Sequence, residues 1–133
     1  MHKVLISLAS NYQQEEHLHQ AREALVQILS SPHYTEEIWT EPIGKSSAEG
    51  VLYLNQLVQA ETLLDSDELN QRLKDIEKAL GRTDSLRLQG LVPIDLDLLQ
   101  HDEKRFHLRD WQRSYVRDLL VMLDESEPKY QMP

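Results

Sequence analysis

Cysteine is absent from the 133-residue chain, which excludes a disulfide framework, a thiol nucleophile and any zinc site built on thiolates. Folding energy therefore has to come from packing, and a reducing cytoplasm is the expected compartment. Glycine (4) and proline (5) are scarce, so collagen-like, mucin-like and disordered compositions are excluded. Cations are also in short supply: 14 Lys and Arg against 23 Asp and Glu leave a charge of −9 with His neutral. Binding to polyanions needs clustered cations that displace phosphate counterions, so neither nucleic acid nor an anionic membrane is an expected partner. The apolar run near the N-terminus meets Asn11 and the pair Glu15-Glu16 too early for a signal peptide or a membrane span. No glycine-rich phosphate loop, dinucleotide fingerprint or nucleophile elbow is present. The six histidines lack zinc-ligand spacing, since His17 and His19 diverge on a helix, and all six read as surface residues.

What remains is 40% apolar and 28% charged, enough for one modest core in a single domain over 1–133, with no repeat or composition break to divide it. Residues 3–9 form a short β-branched and apolar run that reads as a strand. Leu18, Ala21, Leu25, Ile28 and Leu29 lie on one helical stripe, so the spacing predicts a helix over 15–31, ended by Pro32. Residues 34–41 and 51–62 read as strands separated by a loop over 42–47. Asp65 with Glu68 makes a capping box before the stripe Leu69, Leu73, Ile76 and Leu80, and Gly81 closes that helix. A loop over 82–93 precedes a fourth strand at 94–99, and 111–123 reads as a last helix. The length of the 82–93 loop, about a dozen residues, points to a functional role rather than a structureless one. The expected fold class is α+β: a ferredoxin-like βαββαβ antiparallel sheet with helices on one face, plus a C-terminal helix, the other sheet face staying open for a ligand.

Three clusters carry chemistry. Asp95 and Asp97 alternate with Ile94, Leu96 and Leu98, so on a strand the two carboxylates share one face. They repel unless a cation lies between them, and paired oxygen ligands suit Mg²⁺; the plain alternative is an exposed strand with solvated acids. Tyr53 and Asn55 have the same i, i+2 spacing and offer an aromatic face beside a directional amide, against the plain reading of a surface Tyr near a strand end. His107, Arg109, Arg113 and Tyr115 follow the fourth strand. Arg109 and Arg113, i and i+4 apart, would line one helix face and supply cations for phosphate, or simply pair with Asp110 and Asp118. Arg82 and Arg87 in the long loop are a weaker element of the same kind.

Taken in order, these segments resemble the 6-hydroxymethyl-7,8-dihydropterin pyrophosphokinase family, from residue 3 to about 123. The resemblance rests on Ile6-Ser7-Leu8-Ala9-Ser10-Asn11, Thr40-Glu41-Pro42-Ile43-Gly44, Tyr53-Leu54-Asn55, Ile76-Glu77 with Leu80-Gly81-Arg82, and Ile94-Asp95-Leu96-Asp97-Leu98-Leu99. It implies the same ferredoxin-like core and transfer of pyrophosphate from ATP to a pterin alcohol. By resemblance Asp95 and Asp97 hold two Mg²⁺ ions on the ATP phosphates, and Thr40, Asn55 and the backbone near Pro42 read the pterin. Tyr53 and Tyr115 form the two walls of an aromatic sandwich. Arg82 belongs to the catalytic loop, and His107 and Arg113 lie on the phosphates.

The chain departs from the family where Arg-Trp-Gly-Pro-Arg is usual: it reads Leu88-Gln89-Gly90-Leu91-Val92, and only the glycine is kept. Arg87, one residue out of register, is the candidate replacement for one cation, with Arg109 as a further one. The leading expectation is a short pyrophosphokinase, a cytoplasmic monomer whose partners are a pterin and ATP. The alternatives are a catalytically degenerate pterin- or nucleotide-binding module and a plain ferredoxin-like interaction domain.

Overall fold

The computed structural model describes residues 1–42 and 50–126. Its strands are β1 (His2–Ser10), β2 (Ser30–Tyr34), β3 (Ile38–Thr40), β4 (Tyr53–Thr62), β5 (Asp95–His101) and β6 (Lys104–Arg105). Its helices are α1 (Gln14–Leu25), α2 (Ser66–Ala79), α3 (Asp84–Leu88) and α4 (Ser114–Ser126), with a 3₁₀ turn at Asp110–Gln112. The sheet runs β2-β4-β1-β5-β6, and β3 pairs with β4 beyond β2. All paired neighbours are antiparallel. With β4 between β1 and β2, this is the split βαβ of the ferredoxin-like plan, as the order of elements predicted.

Alternation along β1 divides the core into two faces. Val4, Ile6 and Leu8 join Leu18, Ala21 and Leu25 of α1 and Leu69 and Leu73 of α2. Leu5, Leu57 and Leu99 pack on the opposite face against Val116, Leu119 and Leu123 of α4. The expected open face is therefore largely covered by the C-terminal helix. Its free part is the end where Ser7, Ala9, Asn55, Asp95 and Asp97 line a common cavity.

The α2 capping box forms as predicted: Asp65 Oδ1 accepts from the Glu68 N–H at 2.8 Å, and Glu68 Oε1 accepts from the Asp65 N–H at 3.3 Å. Gly81 has φ +102°, a conformation that glycine adopts without strain. Other boundaries differ from expectation. Helix α1 stops at Leu25, and Pro32 lies inside β2 rather than ending a helix. Strand β2 is at the sheet edge, where a missing N–H is tolerated. Its register shifts between Ser30 and His33, and Ser31 has φ +50°, which a helix cannot hold. The expected strand over 34–41 is two strands because Thr35 bends the chain, its Oγ1 accepting the Leu57 N–H at 3.0 Å. The long loop contains α3, capped by Thr83 Oγ1 on the Leu86 N–H at 3.2 Å. The last helix starts at Ser114 after the 3₁₀ turn, not at Trp111. The loop expected over 42–47 falls, from Ile43 onward, outside the described residues.

Two histidines are not surface residues. His17 is buried, with Nδ1 2.6 Å from the Tyr12 carbonyl; His101 keeps only 10% of its side chain exposed.

Asn11 explains why a glycine is kept in the altered loop. Its amide nitrogen donates to Gly90 O at 2.8 Å, and its Oδ1 accepts from the Val92 N–H at 2.6 Å. Its own N–H donates to Val92 O at 3.0 Å. Gly90 has φ +74°, so the loop turns back on the end of β1 through a residue without Cβ strain. Asn11 is 1% exposed, and truncating it leaves buried backbone groups without partners, each costing about 1–3 kcal/mol. Asn11→Ala is expected to lower unfolding free energy by about 2–4 kcal/mol in urea denaturation, whereas Gln89→Ala, in the same loop, should change it by less than about 0.5 kcal/mol.

Candidate active site

At the uncovered end of the sheet, the register sets the residues in rows. Ala9 pairs with Asn55 on one side and Asp95 on the other; Ser7 pairs with Leu57 and Asp97. The central strand thus contributes two small side chains between an amide and a pair of carboxylates. Strand β3 adds a further layer, with Ile38 opposite Asn55 and Thr40 opposite Tyr53. The resulting cavity, about 170 Å³, is lined by Ser7, Ala9, Thr40, Glu41, Tyr53, Asn55, Asp95, Asp97, Asp110, Arg113 and Tyr115.

Asn55 is 3% exposed. Its amide nitrogen donates to Ile38 O at 3.1 Å and to Thr40 Oγ1 at 2.8 Å. These bonds fix the side-chain plane and leave Oδ1 as the acceptor that a ligand can use. Tyr115, at the start of α4, is half-buried. Burial, aided by the charge of Asp110, pushes its phenol up to about 12, so it stays neutral. Arg113 closes the same side, held by a 3.0 Å bond from its Nε to Asp110 Oδ1.

The carboxylate pair rests on a buried ionic cluster. Glu77, on the face of α2 that meets β5, is 4% exposed; its Oε2 accepts the Leu96 N–H at 2.7 Å. One Arg82 nitrogen lies 3.0 Å from both Glu77 Oε1 and Asp95 Oδ1. Lys74 Nζ lies 3.1 Å from Glu77 Oε2 and 3.7 Å from Asp97 Oδ1. Burial would lower the Arg82 guanidinium, but Asp95 and Glu77 outweigh it and raise it above its ordinary value. Burial, reinforced by Asp95, pushes Asp97 up to about 6 against the opposing pull of Lys74 and His107.

Of the residues marked in the sequence, Thr40, Tyr53, Asn55, Asp95, Asp97, Arg113 and Tyr115 converge on this one cavity, and Arg82 reaches Asp95 from beneath. His107 Nε2 lies 3.9 Å from Asp97 Oδ1 but lines a neighbouring hollow with Leu98, Phe106 and the first turn of α2. Pro42 follows Glu41 and does not line the cavity. Arg87 is exposed, 3.6 Å from Asp84, and lines a separate groove with Lys74, Lys78 and Arg82. Arg109 is exposed and precedes the 3₁₀ turn, so Arg109 and Arg113 do not share a helix face. Sequence reasoning assigned no role to Glu77 or Lys74, and gave Asp110 only as a plain ion-pair partner for Arg109 and Arg113, a pairing that forms with Arg113. Glu77 had a signal: it falls four residues after Leu73 and eight after Leu69, on the buried stripe itself.

The chemistry of the donor set fits a hard divalent cation. Two carboxylates share a face, one of them largely withdrawn from water, and both cations beneath them are shared with Glu77. The site and fold together define a ferredoxin-like α+β protein with an aromatic and amide pocket beside an acidic pair.

The family model described as 7,8-dihydro-6-hydroxymethylpterin-pyrophosphokinase matches residues 5–125, and the chain belongs to that family. It is 36% identical over 131 residues to the mitochondrial folate synthesis bifunctional protein of Pisum sativum, covering 91% of this chain and 25% of that protein. The mitochondrial folate synthesis bifunctional protein of Arabidopsis thaliana is 39% identical over 79 residues, which are 53% of this chain and 14% of the relative. The chain therefore spans a quarter or less of the length of these relatives. No described helix is long and apolar enough to cross a membrane.

The Asp97 carboxyl generates a pH dependence of definite sign. Its folded value, about 6, is above the ordinary 3.8, so between these values the native state keeps a proton that the unfolded chain has lost. Stability from this group therefore falls as pH rises from about 4 to 6 and stays low above that. The full displacement, in which the opposing pull of Lys74 is already included, corresponds to about 3 kcal/mol. Asp97→Asn is expected to be about 1–2 kcal/mol more stable than the parent at pH 8, with the gain shrinking towards zero below pH 4, in paired urea titrations.

Proposed function

We propose that this chain transfers the terminal diphosphate of ATP to the hydroxymethyl oxygen of 6-hydroxymethyl-7,8-dihydropterin, releasing AMP. The observation that carries the reading is the joining, across the small side chains of Ser7 and Ala9, of an aromatic and amide pocket to a carboxylate pair. A flat, edge-rich heterocycle and a polyphosphate need those two surfaces side by side.

Tyr53 and Tyr115 supply the ring faces, while Asn55 Oδ1 and the Thr40 hydroxyl meet the donors and acceptors of the heterocycle edge, with backbone near Pro42 completing it. Asp95 and Asp97 would hold the two Mg²⁺ ions, whose charge offsets that of the phosphates in an otherwise acidic cavity. Arg82 steadies Asp95 from below, Arg113 faces the phosphates from the α4 side, and His107 approaches them past Asp97. Arg87 and Arg109 are the outlying cations, available to a nucleotide tail. Phosphoryl transfer asks little covalent chemistry of the protein, so these groups act by positioning and by electrostatic stabilisation. Family membership supports the reaction class. The absence of cysteine is compatible with the cytoplasm, our proposed compartment, though both relatives above are named as mitochondrial, and a monomer suffices because every proposed contact lies within one chain.

The second reading, a pterin- or nucleotide-binding module without catalysis, is favoured by the 88–92 segment. It carries no arginine, while Lys74 and Arg82 are already committed to Glu77 and the aspartates. Both readings require the pterin pocket.

Fluorescence titration with the reduced pterin, with and without a non-hydrolysable ATP analogue, tests it. Losing one ring face is expected to weaken binding about 3–10-fold in Tyr53→Ala and Tyr115→Ala, and Asn55→Ala should weaken it about 5–100-fold through unpaired ring groups. Tyr34→Ala should leave affinity unchanged. No saturable binding under either condition would remove the folate reading.

A further inference from the structure

At the end of the sheet remote from the cavity, the first residue of β1 meets the β5–β6 turn. His2 Nδ1 lies 2.6 Å from Asp102 Oδ2, and His101 Nδ1 lies 3.8 Å from the same oxygen. The two imidazole rings are 4.4 Å apart between centroids. One ligand atom from each of the three residues lies within 4.8 Å of the others.

The surroundings orient all three groups. His101 Nε2 is 3.0 Å from the Leu64 carbonyl, an acceptor only, so that nitrogen carries the ring proton. In the tautomer with its proton on Nε2, the lone pair of Nδ1 turns toward the Asp102 carboxylate, 3.8 Å away, a separation too long for a hydrogen bond. Two electron-rich atoms that face each other without a hydrogen bond, one of them on a largely buried ring, leave a place for a cation between them. Asp102 is fixed as well: its Oδ1 accepts the Lys3 N–H at 3.0 Å, and its own N–H donates to Lys3 O at 2.7 Å, which turns Oδ2 toward the two imidazoles, with His2 Nδ1 at hydrogen-bond distance. A donor bond from a metal-binding imidazole to a carbonyl, and one from an amide to a ligating carboxylate, are how proteins orient such ligands.

We propose that His2, His101 and Asp102 form a binding site for a first-row transition cation of the zinc type, separate from the Asp95 and Asp97 pair. Two imidazole nitrogens with one carboxylate select zinc, nickel or copper over magnesium, which prefers all-oxygen sites. Bonds of about 2.0–2.1 Å in tetrahedral geometry place ligand atoms about 3.3 Å apart. Reaching that spacing opens the His2 contact and closes the His101 one by less than about 1 Å each. His2 and Asp102 are 40% and 49% exposed, so the cation has an entry path and room for a water as fourth ligand. Bound there, it ties the start of β1 to the β5–β6 turn. Zinc at a hundred times its dissociation constant would raise the ratio of folded to unfolded chain about 100-fold.

The test is zinc titration of the chelator-treated full chain by calorimetry, with thermal unfolding followed in parallel. One saturable zinc equivalent and a higher Tm are expected in the parent and in the Asp95→Asn/Asp97→Asn double variant, with no Tm rise from magnesium in that double variant. His2→Gln and Asp102→Asn should each weaken zinc binding at least about tenfold, and cobalt should give visible absorption bands that His101→Gln loses. His2 is exposed, so its variant reports even if His101→Gln fails to fold. Absence of saturable zinc binding, equal affinity in His2→Gln and the parent, or loss of zinc binding in the double aspartate variant would overturn the proposal.

Discussion

The buried carboxylate of Glu77 is the interaction on which the site depends. Strand β6 pairs only with Gln100 and His101 of β5, so near the cavity β5 presents unpaired backbone toward α2. Glu77 takes the Leu96 N–H there and anchors Lys74 and Arg82, which in turn lie on Asp97 and Asp95. A single anion thus docks a helix on a sheet edge and places two cations beneath the carboxylates that face the cavity. Breaking such a buried pair by removing one partner costs about 3–5 kcal/mol, because the remaining charges keep their desolvation without compensation.

The electrostatics of the cavity follow. Its lining holds Glu41, Asp95, Asp97 and Asp110 against Arg113 alone, so the cavity carries an excess of negative charge that the proposed polyphosphate would have to offset with cations. Where the resemblance leads to an expectation of two arginines before the acidic pair, this chain has Leu88 and Val92, and the segment is held as a clamp through Gly90 and Val92 to Asn11. Under the proposed function, this leaves the divalent metal and Arg113 with a correspondingly greater share of the phosphate charge.

The sheet faces were legible in the sequence wherever alternation is strict. Asp95 with Asp97 and Tyr53 with Asn55 fall on one face because strand geometry leaves no other choice, and their convergence with Ala9 follows from the ferredoxin-like strand order. The capping box at Asp65 was legible for a similarly local reason. What escaped depends on tertiary context. Pro32 reads as a helix stop and is instead tolerated on an edge strand; His17 reads as a surface residue and is buried on the Tyr12 carbonyl. Arg109 and Arg113 have helical spacing, but a 3₁₀ turn separates them. Glu77 entered the sequence reading only within the segment Ile76-Glu77, although its place on the stripe with Leu69 and Leu73 marked it as buried.

The central claim, diphosphate transfer rather than binding alone, is tested most directly by identifying the nucleotide product. Incubated with Mg-ATP and 6-hydroxymethyl-7,8-dihydropterin, the protein should form AMP in equal amount to the pterin diphosphate, with none formed when either the pterin or the metal is withheld. Release of ADP, or no nucleotide turnover while the pterin binds saturably, would contradict the account.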